Sequence, residues 1–215
     1  MTPGQPDLGF DYRYRAPTGD GSGPPHTLVL LHGAGGDERS LWPVGQGFPS
    51  EVAVLSPRAK VDEDGRRFFR WAAPGVPDAE DLAARVQELA TFVTDACGAL
   101  DLDPALVWVF GYSNGATMAA ALAIRHPDLV AGGVLLAAKC PFREYGRVLE
   151  AKPFFCGHGR ADDQVSTADF EDVVELLVTA GAEIELHWYG SGHDLTDEKV
   201  KESTAWLLRQ MDKKA

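Results

Sequence analysis

At 215 residues the chain has room for one domain, taking roughly 150 residues per domain, and none for a second independent core. Apolar residues make up 45% and charged ones 24%, an ordinary globular balance that excludes wholesale disorder. The net charge of −12 comes from 20 Lys and Arg against 32 Asp and Glu; such a surface repels phosphate backbones and anionic membranes, so neither is expected as a partner.

The stretch Met1–Asp7 has no positive region and no hydrophobic run, so no signal peptide is expected. No apolar run approaches the roughly 18 residues that span a bilayer; Val130–Ala138 is among the longest and glycines interrupt it. Cys97, Cys140 and Cys156 are far apart and odd in number, which predicts reduced thiols and a cytoplasmic protein.

Along the chain, Phe10, Tyr12 and Tyr14 alternate with Asp11, Arg13 and Arg15, as on a strand with one wet face at a sheet edge. The run from Thr18 to Pro25 is a loop within the domain. Thr27–Leu31 and Val52–Leu55 are solid apolar runs that suit strands buried on both faces. Ser56–Pro77 then forms the one sizeable connection. Asp78 is placed to cap a helix whose apolar face is Leu82, Val86, Leu89, Val93 and Cys97.

Further buried strands follow at Leu106–Phe110, Val134–Ala137 and Pro153–Cys156. Phe170, Val173, Val174 and Leu177 make another helical face, which Gly181 is placed to end. Ile184, Leu186 and Trp188 alternate with Glu183, Glu185 and His187, a second edge strand, and Val200, Leu207 and Met211 outline a last helix. The sum is an α/β chain: one domain over residues 1–215, with a mostly parallel sheet of about seven strands flanked by helices.

The chemistry concentrates where a buried strand meets a helix, at Gly111-Tyr112-Ser113-Asn114-Gly115. This is a G-x-S-x-G pattern between a strand and the helix Ala116–Leu122, the context in which glycines allow a sharp turn that lifts a serine above the sheet. A serine hydroxyl needs a base, and that base needs an orienting carboxylate. Gly190-Ser191-Gly192-His193-Asp194 follows the last strand and supplies His193; His26, His126, His158 and His187 read as packing or solvated residues. Asp162 and Asp163 both follow the Pro153–Cys156 strand, and either is also placed to cap the helix beginning near Ser166.

Two backbone N–H groups should meet the developing oxyanion. Asn114, at the helix N-terminus, supplies one, and Ala34 in His32-Gly33-Ala34-Gly35-Gly36-Asp37 supplies the other. The same glycines do not make a dinucleotide fingerprint, because Glu38 stands where glycine is required, and no G-K-[ST] ending or metal-ligand spacing occurs.

These stretches together resemble the phospholipase/carboxylesterase family of small α/β hydrolases, which includes bacterial carboxylesterases and acyl-protein thioesterases. Leu30–Asp37, Phe110–Gly115, His158–Asp162 and Gly190–His193 carry the resemblance in the family's order over nearly the whole chain. It implies the α/β-hydrolase fold without a lid domain, Asp162 as the acid, and Ala34 and Asn114 as oxyanion donors. The chain departs from the family at Asn114, where Gln is frequent, at Ala116 for Gly, and at Asp163 for Pro.

The implied activity is hydrolysis of carboxylic esters of small soluble substrates, with thioesters or lysophospholipids as alternatives. No cofactor is needed, and small esterases of this kind often pair as homodimers. Trp42, Phe68, Phe69 and Trp71 either line an apolar substrate pocket or cover the core. Arg58, Arg66, Arg67 and Arg70 form a local basic group offset by Asp62, Glu63 and Asp64.

Overall fold

The computed structural model describes residues 5–19, 23–63, 65–73, 75–142 and 148–214. Part of the Thr18–Pro25 loop (20–22), the start of the Met1–Asp7 stretch and Asp64 lie outside the described residues. One sheet of seven strands organises the molecule: β1 (Tyr12–Arg15), β2 (Thr27–Leu31), β3 (Ala53–Pro57), β4 (Val107–Tyr112), β5 (Gly132–Leu136), β6 (Pro153–Gly159) and β7 (Glu183–Tyr189). Their spatial order is β1-β3-β2-β4-β5-β6-β7. β1 runs antiparallel to β3, and every other pairing is parallel.

The strands that alternate in sequence are the two edges. Central β2 and β3 are buried at every position, whereas β7 is exposed at Glu183 and Glu185. Among the described residues five α-helices cover the faces: α1 (Trp42–Gln46), α2 (Ala79–Leu100), α3 (Asn114–Arg125), α4 (Thr167–Thr179) and α5 (Asp197–Asp212). Helices α2, α3 and α4 pack with Val29, Leu31, Val107 and Val109 on one face, and α1 and α5 with Leu28, Leu30, Trp108 and Phe110 on the other. This is the period-two alternation of buried strands, with both sides apolar because both are covered.

Local capping agrees with the packing. The Asp78 carboxylate accepts from the Glu80 and Asp81 amides at the start of α2. Ser166, rather than Asp162 or Asp163, caps α4, accepting from the Asp169 amide. Gly181 follows α4 with φ +92°, a conformation that glycine adopts without strain.

Two sequence readings change. Gly157-His158-Gly159, beyond the Pro153–Cys156 run read as the strand, continues β6 by in-register pairing with His187-Trp188-Tyr189. The glycines are there for space: a Cβ at Gly157 would crowd Leu136, Phe155 and Tyr189, and one at Gly159 would overlap the Ser191 and Gly192 carbonyls. The Ser56–Pro77 connection also has structure of its own, two ribbons pairing Val61–Asp62 with Arg66–Arg67 and Trp71–Ala73 with Val76–Pro77.

None of the three cysteines forms a disulfide, and burial pushes the Cys97 thiol up to about 11 and that of Cys156 to about 12. Among the described residues no helix is long and apolar enough to cross a membrane. Asp78→Ala removes the acceptor for two orphan amides of α2 and is expected to lower stability by about 1 kcal/mol in urea unfolding, with no change in slope.

Candidate active site

Strand β4 ends at Tyr112, and the chain turns through Ser113 into α3 with φ 54° and ψ −119° at the serine. A non-glycine residue in such a conformation costs on the order of 1–3 kcal/mol. The turn is held by its neighbours: Ser113 N–H donates to Leu136 O (2.8 Å), and Ser113 O accepts from the Ala116 (2.9 Å) and Thr117 (3.0 Å) amides. Gly111 and Gly115 are required by contact. A Cβ at Gly111 would strike the Gly115–Ala116 backbone, and one at Gly115 would overlap the Leu31 and His32 carbonyls of the adjacent strand end.

His193 stands between serine and carboxylate. Its Nε2 lies 2.9 Å from Ser113 Oγ, and its Nδ1 lies 2.8 Å from Asp162 Oδ2. Asp162 divides its oxygens: Oδ1 accepts from the Gln164 and Val165 amides, both at 2.9 Å, and Oδ2 faces the imidazole. Burial would raise this carboxyl, but the bonds from Val165, His193 and Gln164 outweigh it and hold it below the usual carboxylate range. Asp163, the neighbouring candidate, is exposed.

The two loops that carry these groups are joined by backbone. Arg160 N–H donates to Tyr189 O (2.8 Å) and Ala161 N–H to Ser191 O (3.1 Å), so the acid-bearing and histidine-bearing turns move as one unit.

The glycine-rich loop runs beside the serine, since a Cβ at Gly33 would lie 3.5 Å from that of Ser113 and 2.9 Å from the Tyr112 ring. Its shape is set by His32, which is buried. His32 Nε2 accepts from Ala59 N–H at 3.0 Å, so Nδ1 carries the proton that meets Gly33 O at 2.7 Å. Burial lowers the His32 pKa and favours this neutral form. Gly35 N–H donates to Arg66 O and Gly36 N–H to Gly33 O, which fixes the loop around Ala34. Asn114 is the first residue of α3, where amides have no intrahelical acceptor.

Sequence patterns did not reveal three contributors. Tyr112 donates its hydroxyl to His193 O at 2.8 Å and lays its ring 5.4 Å from the imidazole; burial pushes its phenol up to about 12, so it remains a donor. The Asn114 side chain accepts from Phe68 N–H at 2.7 Å and ties the Arg66–Trp71 segment to the serine turn. The third, His32, read only as the start of the glycine loop. Contacts of this span leave no periodicity or spacing signal in a single sequence.

The aromatic candidates separate. Phe69 is fully buried and edge-on to Trp71 at 5.2 Å, and Phe68 is buried against the His32 ring at 4.9 Å, so both fasten the ribbon to the core. Trp71 is half-buried at the margin of that cluster. Trp42 packs with the α1 and α5 face and lies under the Arg13 guanidinium at 4.3 Å. Of the arginines, Arg58 engages buried Glu38 through two hydrogen bonds, while Arg66 pairs with Asp62 (3.6 Å) and Arg70 with Glu63 (3.3 Å).

No family model matches the chain. MhqD of Bacillus subtilis (strain 168), a protein classed by name among the hydrolases, is 32% identical over 183 residues, which is 84% of this chain and 92% of that protein. The carboxylesterase of Bacillus cereus superposes with a TM-score of 0.86 at 36% identity, covering 93% of this chain and 94% of that one. The chain belongs to the phospholipase/carboxylesterase-like α/β hydrolases. This hydrolase is also 25% identical over 203 residues (84% of this chain, 82% of the other) to a rice protein whose name calls it an inactive carboxylesterase.

The depressed Asp162 carboxyl links the site of this hydrolase to its stability. A lowered folded-state pKa contributes stability above the unfolded value of about 4, and that contribution is lost as pH falls through the folded value. Asp162→Asn is therefore expected to melt below wild type at neutral pH, with the gap narrowing as the melts are taken into the acid range. A gap independent of pH would contradict this assignment.

Proposed function

We propose that this hydrolase cleaves carboxylic esters of small soluble substrates by acyl transfer through Ser113. The observation that carries the reading is the continuous bridge from Asp162 through His193 to Ser113, at 2.8 Å and 2.9 Å. On this reading His193 Nε2 accepts the serine proton as Oγ attacks the ester carbonyl, and Asp162 stabilises the imidazolium. The Ala34 and Asn114 amides receive the oxyanion; the position of Asn114 at a helix N-terminus supports that role, since the helix dipole favours negative charge there.

Collapse of the tetrahedral intermediate breaks the ester C–O bond, and the imidazolium gives its proton to the leaving alcohol. Water enters next, His193 takes its proton, and a second tetrahedral intermediate releases the acid and restores the Ser113 hydroxyl. Every proton in this cycle moves between serine, histidine, alcohol and water, so the scheme needs no cofactor. We assign the protein to the cytoplasm on its cysteine usage.

Turnover of p-nitrophenyl esters of graded acyl length tests the proposal. Ser113→Ala and His193→Ala are expected to lower kcat by roughly 10⁴- to 10⁶-fold. Asp162→Asn is expected to lower it by about 10⁴-fold while Asp163→Asn leaves it near wild type. Equal effects of the two aspartate changes would sink the assignment of the acid. Faster turnover of the matching thioesters would move the substrate class to thioesters, and no turnover of either would favour a non-catalytic, ligand-binding role.

A further inference from the structure

Lys199 breaks two rules of placement at once. Its side chain is almost completely buried (1% exposed), although lysine is rarely buried unless paired. It also stands in the first turn of α5, three residues after the Thr196 cap, where the helix dipole disfavours a cation. Departures of this kind concentrate at functional sites. The ammonium is directed at the histidine-bearing turn: Nζ donates to Gly192 O at 2.8 Å and to Asp194 O at 2.7 Å.

Those carbonyls flank His193, whose own carbonyl accepts from the Tyr112 hydroxyl at 2.8 Å. The backbone oxygens of Gly192, His193 and Asp194 are thus each held by a side chain, from α5 for the outer pair and from the strand bearing the serine for the middle one. The turn is thereby tied to the Ser113 strand on one side and to the terminal helix on the other.

We infer that Lys199 is a positioning residue for the reaction, its ammonium fixing the Gly192–Asp194 turn so that the His193 ring meets Ser113 and Asp162 together. The inference rests on the acyl-transfer reading of those three residues. The charged and titratable groups around the ammonium are Asp162 from the loop after β6, Asp194 and His193 from the turn itself, His158 from β6, and Tyr189 from β7. The Tyr189 ring lies 5.8 Å away, and its hydroxyl is held by Glu202 of α5. Burial pulls the ammonium below the usual lysine range, opposed by Asp162 and Asp194.

Lys199→Met keeps an unbranched apolar stem and removes the ammonium. With p-nitrophenyl butyrate, kcat is expected to fall about 10²-fold, the effect of a small misplacement of a reacting group. KM should be little changed. Lys199→Arg, which keeps charge and donors, should recover part of the rate. The downfield proton resonance of His193 Nδ1–H bonded to Asp162 should be sharp in wild type and broadened or lost in Lys199→Met.

A Met variant that folds, judged by its melt, and keeps wild-type kcat and resonance overturns the inference. So does a rate loss that only follows the unfolded fraction. If Lys199→Met does not fold, Lys199→Gln, which keeps one donor, is read in the same way. The resonance requires no turnover, so failure of wild type to hydrolyse esters would strike the acyl-transfer reading while the clamp is still decided by the ring.

Discussion

The backward turn at Ser113 is the constraint from which the rest of the site follows. Strand β4 is central and α3 must return over the sheet at once, so one residue takes φ 54° and the helix begins against the end of β2. Only glycine fits at 111 and 115, because the α3 backbone then rests on the Leu31 and His32 carbonyls. That approach brings Gly33 of the glycine-rich loop beside the serine, directly before the start of α3. Packing therefore places the serine turn and the glycine-rich loop together, at a local strain that the neighbouring backbone bonds over-determine.

The histidine and the carboxylate reach this point from later strands, and their precision comes from ties between loops rather than from the strands alone. Gly159 lets β6 pass under the Ser191 and Gly192 carbonyls, and the Arg160 and Ala161 amides join the two turns. Tyr112 connects that joined unit back to the residue preceding the serine. The imidazole is thus fixed from several elements at once, which is the preorganisation that general-base chemistry requires.

The seven strands, both edges, the α2 cap and the stretches bearing Ser113, Asp162 and His193 were legible because each depends on local pattern: apolar runs, period-two alternation, glycine spacing around a serine. Less legible were features set by contacts between distant segments. Gly157 and Gly159 read as a loop because glycine usually marks one, and only the crowding from β5 and β7 reveals a strand. The choice between Asp162 and Asp163 likewise depends on which side chain turns inward, a matter of two amide bonds to Oδ1. Phe68 and Phe69 were equally suited to pocket or core by composition. Their burial beside His32 and Trp71 is decided by the Asn114 anchor, which no spacing encodes.

The Ser56–Pro77 segment contributes short ribbons that are bound to the serine turn through the Phe68–Asn114 hydrogen bond. The most direct measurement of the central claim is the intact mass and peptide map of the protein after exposure to a fluorophosphonate. The account predicts one phosphonyl adduct, on Ser113, that Ser113→Ala does not acquire. No adduct on Ser113, under conditions that fully label a control esterase, would contradict it.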